Sequence, residues 1–315
     1  MNSLNDIARF LESRDKFAIL THIYPDGDTL GSAYALCRAL RKLNKQATVL
    51  INGTLPEKFM YLAKDMEEQN FEYETAVSVD IAAADLLGEF KDEFESRIDV
   101  CIDHHASNSL SAKMIYVNAE AAANCENIYR LIELLEVEID PLMADCIYTG
   151  VCTDTGCFKF TNVTPDTMRI AARLMECGCR SAEINKQMFD TKSFARINIE
   201  RDVLNTLRFY GENRIAVVYT TREMENRAGA ADSDMDGIAA IPRQIEGVCI
   251  GITVKEKGDN YFRVSIRTND GHDAAWIGER FGGGGHFAAA GCSVTGTLED
   301  AIARVVNVSI EELNR

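Results

Sequence analysis

The chain has 315 residues, 46% of them apolar and 26% charged, which suits one or two soluble globular cores and excludes a disordered or fibrous chain. A net charge of −16 argues against the broad basic surface on which long duplex nucleic acid is held. No apolar stretch approaches the ~20 residues of a membrane-spanning helix, no leader pattern opens the chain, and ten scattered cysteines without a CxxC pair point to free thiols in a reducing cytoplasm.

In chain order, short β-favouring runs at 17–20, 47–51, 76–79, 98–102 and 114–117 are separated by helical stretches such as 31–43. That alternation predicts an α/β domain with a parallel sheet covered on both faces. Helices are predicted next at 121–135, 141–151, 165–177 and 193–207, with Cys177-Gly178-Cys179 as a glycine-capped helix end rather than a metal site. From Arg214 the pattern changes. Strands at 215–220, 248–255 and 261–268, with helices near 236–245 and 273–281, predict a second, smaller α/β domain. The expected division is 1–190, a linker helix over 191–212, and 213–315.

Four of the five histidines fall in three polar clusters that close such runs. His22, Asp26 and Asp28 follow 17–20, Asp103-His104-His105 follows 98–102, and His286 follows four glycines, Gly282 to Gly285. Asp80 and Asp154 end two further apolar stretches. Taken singly, Asp26-Gly27-Asp28 is a solvated turn, Asp80 a helix N-cap, His104 a satisfied core histidine and Asp154 a turn residue. Their joint placement, in order and each after an apolar run, points instead to a metal site at strand ends. A loop with Pro25 and Gly27 is expected to turn His22, Asp26 and Asp28 toward one point, with a helix opening near Gly31. Adding Asp80, His104 and Asp154 gives more ligands than one water-admitting ion needs. Two ions sharing a carboxylate at roughly 3.5–4 Å fit better. A His/Asp set without cysteine favours Mn2+, with Mg2+, Co2+ or another divalent ion as a substitute.

These motifs resemble the four signature motifs of the DHH phosphoesterase superfamily, and Ser265-Ile266-Arg267 followed by Gly282 to Gly285 and His286 resembles the DHHA1 domain of one branch. Among two-domain members the chain is most similar to the nano-RNase type, bifunctional oligoribonuclease and phosphoadenosine phosphate phosphatases. The resemblance implies His22, Asp26, Asp28, Asp80, His104 and Asp154 as manganese ligands. It implies His105 beside the scissile phosphate, and Asp103 orienting a ligating histidine from behind. Arg267 and His286 become phosphate contacts, with Ser265 and the exposed N–H groups of Gly283, Gly284 and Gly285 beside them. An active site in the cleft between the domains is expected. The second part of the chain, with twelve Arg and two Lys from residue 196 on, suits a phosphate grip.

The activity so implied is hydrolysis of short oligoribonucleotides to nucleoside 5′-monophosphates, with removal of the 3′-phosphate of pAp. Two departures, Asn124-Cys125-Glu126 in place of a Thr-Ala-Glu-like segment and Thr268 where serine is common, bear on how base and ribose are held. A pApA or cyclic di-AMP phosphodiesterase, a manganese pyrophosphatase and a non-catalytic nucleotide- or RNA-binding module stay open as alternatives. The oligomeric state stays open too, a homodimer included.

Overall fold

Runs of apolar residues too short for helices form the strands, and in the first sheet the three inner ones are the most buried. In the computed structural model, which describes residues 2–235, 237–269 and 271–315, the chain divides into two units, Met1–Thr191 and Lys192–Arg315. The first opens with helix α1 (Leu4–Glu12), β1 (Phe17–Leu20), α2 (Gly27–Lys42), β2 (Ala47–Leu50), β3 (Thr75–Val79), a short α3 (Lys91–Phe94), β4 (Val100–Asp103) and β5 (Met114–Val117). Its strands pair in parallel in the order β2-β1-β3-β4-β5. β1, β3 and β4 are buried along their whole length, so they carry no polar alternation. Phe17 and Ile19 point into one core, Ala18 and Leu20 into another, which covers both faces of the sheet.

Helices α4 (Asn124–Leu134), α5 (Pro141–Asp154), α6 (Pro165–Glu176) and α7 (Ser181–Asn185) complete this unit. α2 is buried from Gly27 to Leu40 and packs on α5. The contact is close because Gly31 faces the Cys146 carbonyl, where a Cβ would collide.

The second unit holds α8 (Phe194–Leu204), β6 (Arg208–Tyr210), β7 (Ile215–Thr220), α9 (Arg222–Ala228), β8 (Ile250–Gly258), β9 (Tyr261–Thr268), α10 (Ala274–Glu279), β10 (Gly284–His286), β11 (Ala289–Thr295) and α11 (Leu298–Leu313). Its sheet runs β10-β11-β9-β8-β7-β6, antiparallel except for the β7/β8 pair. α8 packs Ile199 and Val203 against Val218 and Met224 within this same unit. The helix predicted near 236–245 is instead a pair of 3-10 turns, Ile238–Ala240 and Pro242–Gln244, because Pro242 cannot continue an α-helical ladder; Asp236 lies outside the described residues. Among the described residues no helix is long and apolar enough to cross a membrane.

Candidate metal centre

The strand order 2-1-3-4-5 places a topological switch point between β1 and β3, where open α/β sheets bind ligands at the carboxyl ends of their strands. His22 follows β1 and Asp80 follows β3 at this point. α2 starts at Gly27 rather than near Gly31, because Asp26 is its N-cap: Oδ1 accepts from the N–H groups of Asp28 (3.0 Å) and Thr29 (3.1 Å). The loop expected to aim three side chains is therefore a loop, a cap and a helical turn. Asp28, fully buried in that turn, is gripped by the N-terminus of α4, with Asn124 N–H on Oδ2 (2.5 Å) and Cys125 N–H on Oδ1 (2.8 Å).

Asp80 does not cap the 3-10 segment Ala84–Phe90, whose flanking residue is Ala83. It sits in the left-handed region, φ +59°, with its N–H on the Ile102 carbonyl at 3.0 Å. Such backbone is held only where the surroundings over-determine it. Here it turns one carboxylate toward two sets of partners. Oδ1 lies 3.4 Å from His104 Nε2 and 3.5 Å from His105 Nδ1, while Oδ2 lies 3.8 Å from His22 Nε2. Asp154, on the last turn of α5, brings Oδ2 to 3.4 Å from His104 Nε2, and Asp28 Oδ2 is 3.7 Å from the same nitrogen.

The triplet at the end of β4 divides its work. The His104 ring donates from Nδ1 to the Ala121 carbonyl (3.2 Å), which leaves the Nε2 lone pair facing the acids. Asp103 Oδ1 accepts from the backbone of His104 (2.7 Å) and His105 (3.2 Å) and from His105 Nδ1 (2.8 Å). The ring that Asp103 orients is thus that of His105, not of the candidate ligand His104, a correction to the sequence reading. Asp103 Oδ2 accepts from Asn108 Nδ2 at 2.5 Å, and the same amide donates to the Ile81 carbonyl at 3.0 Å. Asn108 thereby ties the Asp80 loop to the triplet. Sequence reasoning missed it, since nothing in the run of apolar and polar residues distinguishes it from other loop asparagines.

Among the described residues, three groups of donor atoms, each within 4.8 Å of one another, result: His22/Asp26/Asp80, Asp28/His104/Asp154 and Asp80/His104/His105. Without a cation these acids crowd one another. Burial, then the neighbouring Asp26, pushes Asp28 up to about 7. Burial followed by Asp28 and Asp26 takes Asp154 to about 8 and Asp80 well above the carboxylate range. Two buried atoms without a hydrogen-bond partner, Asp80 Oδ1 and His104 Nε2, face each other across the cluster. Orphaned acceptors among crowded carboxylates are what a hard or borderline divalent ion satisfies, so the residues present fit such an ion.

In the second unit, Arg267 on β9 and His286 on β10 both pair with Ala289 on β11, and Ser265 and Gly284 both pair with Gly291. Residues opposite one another in register share a face. The other face of β9, carrying Val264 and Ile266, is buried in the core. Arg267 and His286 therefore flank a shallow strip of Ala289 and Gly291 on the outer face. Desolvation and the nearby Arg243 lower the pKa of Arg267, so a second guanidinium stands close by; sequence reasoning missed Arg243. The glycine run, read as an anion-cradling loop, ends as edge strand β10. Gly283, just before that strand, is required because a Cβ would strike the Gly291 carbonyl.

Residues 16–151 match the DHH family, N-terminal domain, and residues 213–314 match the DHHA1 domain. A Thermus thermophilus protein named bifunctional oligoribonuclease and PAP phosphatase NrnA is 33% identical over 306 residues, 94% of this chain and 90% of its own. A Bacillus subtilis protein of the same name is 25% identical over 299 residues, 92% of each chain. A crystal structure of an exopolyphosphatase-related protein from Bacteroides fragilis has the same fold, with a TM-score of 0.86 at 24% identity over 98% of this chain and 95% of that one. Acids and histidines at the switch point of a parallel sheet, with these relatives, define a phosphoesterase. The chain belongs to the DHH family, and its second unit carries the DHHA1 domain.

Proposed function

We propose that this phosphoesterase hydrolyses short oligoribonucleotides to nucleoside 5′-monophosphates and also removes the 3′-phosphate of pAp, using manganese. The reading is carried by the donor cluster around Asp80, whose single carboxylate faces His22 on one side and His104 on the other. The names of the relatives, one of them 33% identical over nearly the whole chain, support the substrate class. The DHHA1 match favours it over a pyrophosphatase, for which a different second domain is expected.

His22, Asp26, Asp28, Asp80, His104 and Asp154 would hold the ions. When bound, a divalent pair supplies activation of water and charge neutralisation on the attacked phosphoryl group. The chain's own residues do the rest. Asp103 occupies Nδ1 of the half-exposed His105 and so presents Nε2 to the substrate. α4 fixes both oxygens of Asp28, so the cluster needs little rearrangement as charge develops. Arg267, His286 and the β10 backbone bind a phosphate of the substrate, with Ser265 on the same face.

The test is turnover of a labelled RNA dinucleotide, pAp, pApA and a longer RNA with manganese. Dinucleotide and pAp cleavage that disappears in Asp80→Ala and His104→Ala is expected. Full activity in either variant overturns the site, and preference for pApA or the longer RNA overturns the substrate class.

A further inference from the structure

Among the described residues of the first unit, two aromatic rings are exposed, Tyr24 at 75% and Phe160 at 52%; the other Phe and Tyr side chains there are buried or half-buried. Both belong to the segments that build the metal centre. Tyr24 stands two residues after His22 and two before Asp26. At ~3.8 Å per residue its backbone is within about 8 Å of each. The loop is pinned on either side, by Ile23 N–H on the Leu86 carbonyl (2.8 Å) and by the Asp26 cap.

Phe160 is six residues beyond Asp154, yet the chain doubles back to it. Gly156, Cys157 and Phe158 all adopt left-handed backbone, φ +55°, +59° and +60°. Thr155 fastens this turn: its carbonyl accepts from Lys159 (2.9 Å) and Phe160 (3.0 Å), and its Oγ1 accepts from Phe158 N–H (3.1 Å). The Phe160 ring lies directly on Gly156, where any Cβ would run into it. Asn162 Nδ2 then ties the segment to the carbonyls of Asp154 (3.2 Å) and Ala122 (3.0 Å). A left-handed turn that includes two non-glycine residues is unfavourable and persists where the surroundings enforce it. What this turn holds in place is an exposed ring packed on Gly156, two residues after Asp154.

We propose that Tyr24 and Phe160 are stacking platforms for the two nucleobases that flank the scissile phosphate. The inference rests on the oligonucleotide reading above and extends it to how the bases are held. Every base has a π-face, so stacking on rings tolerates any sequence, as an enzyme clearing mixed short RNA requires. A one-base substrate such as pAp engages one platform only. Neither ring binds metal or moves a proton. Their contribution is to KM.

The experiment compares the dinucleotide ApA with two analogues, each with one base replaced by hydrogen. Tyr24→Ala and Phe160→Ala are each expected to raise KM for ApA about tenfold or more while kcat changes by less than about twofold. Tyr24→Phe and Phe160→Tyr restore KM. For each Ala variant, losing ring and base together costs no more than losing the base alone on one of the two analogues, which assigns ring to base. As a binding readout, ApA quenches the added indole fluorescence of Tyr24→Trp and Phe160→Trp in metal-free buffer. Equal KM losses on ApA and both analogues, or unquenched indoles, overturn the proposal. Wild-type protein that fails to cleave ApA overturns the oligonucleotide reading instead, and the quenching titration still decides the stacking.

Discussion

Asp28 and Asp80 in the first unit are 0% and 3% exposed, whereas Arg267 and His286 in the second lie on the outer face of a sheet whose strand β10 is exposed throughout. The first arrangement is poor for a protein without ions: carboxylates are desolvated together and two polar atoms lack partners. It is tolerated because the parallel sheet, α4 and α5 leave the acids nowhere else to point. The second arrangement costs the fold little. An open face with small residues between Arg267 and His286 can be altered without touching a core. Mutations should thus separate ion binding from substrate gripping, the first showing in stability and rate, the second in KM.

Asp80→Asn tests the first half most severely. If this carboxylate serves the proposed centre, its loss removes several kcal/mol of stabilisation there and should slow hydrolysis by about 10³-fold or more. The same change removes a buried carboxyl whose ionisation its burial and the neighbouring acids oppose, and asparagine suits the left-handed backbone at this position. Melting in chelator is therefore expected to rise by about 2–4 °C per kcal/mol gained, while the upward shift expected of the wild type with manganese is lost. A metal-free variant that melts below the wild type breaks the contrast.

Arg267→Ala probes the other half. Loss of the proposed phosphate contact should raise KM about ten- to a hundredfold, and the melting shift expected with manganese should remain that of the wild type. If that shift shrinks, gripping and ion binding are not separable as described. Asn108→Ala sharpens the line between them. It touches no ion donor, yet it frees Asp103 Oδ2 and the link to Ile81. About a tenfold fall in kcat with unchanged metal affinity is expected, measured by steady-state kinetics beside a manganese titration.

The sequence carries the candidate donors of the centre better than their supports. Asp80 and His104 are legible because each closes an apolar run of the kind that forms a buried parallel strand, and Asp154 because it ends the apolar run of the buried helix α5. Asn108, Arg243 and the N–H groups of Asn124 and Cys125 are not, since what they do depends on which loops the fold brings together. The glycine run is legible only in part, since its composition permits a loop and an edge strand alike, and Gly284 and Gly285 belong to β10. The helix predicted near 236–245 failed at Pro242, a local breaker signal that the prediction passed over.

The smallest effect concerns the far end of the helix that delivers Asp154. Asp140 caps α5, accepting from Met143 N–H at 2.9 Å on Oδ1, while Oδ2 meets Lys42 Nζ at 2.8 Å. Burial acts against the carboxylate, but the Lys42 ammonium and the Met143 N–H outweigh it and hold its pKa below 3.8. A carboxylate depressed in the folded state contributes in full above its unfolded pKa and loses that contribution as pH falls through the folded value. Asp140→Ala should therefore lower stability by about 1 kcal/mol near pH 7, or ~2–4 °C. The gap to wild type should close in acid below pH 3.8. Added salt should weaken only the Lys42 part, which is exposed enough to be screened, and leave the cap. Turnover should not change, because α5 is fixed by its packing on α2 rather than by its first turn. Melting curves of both proteins at neutral and acid pH, with and without salt, decide it. A gap that persists undiminished near pH 2 removes the carboxylate as its cause.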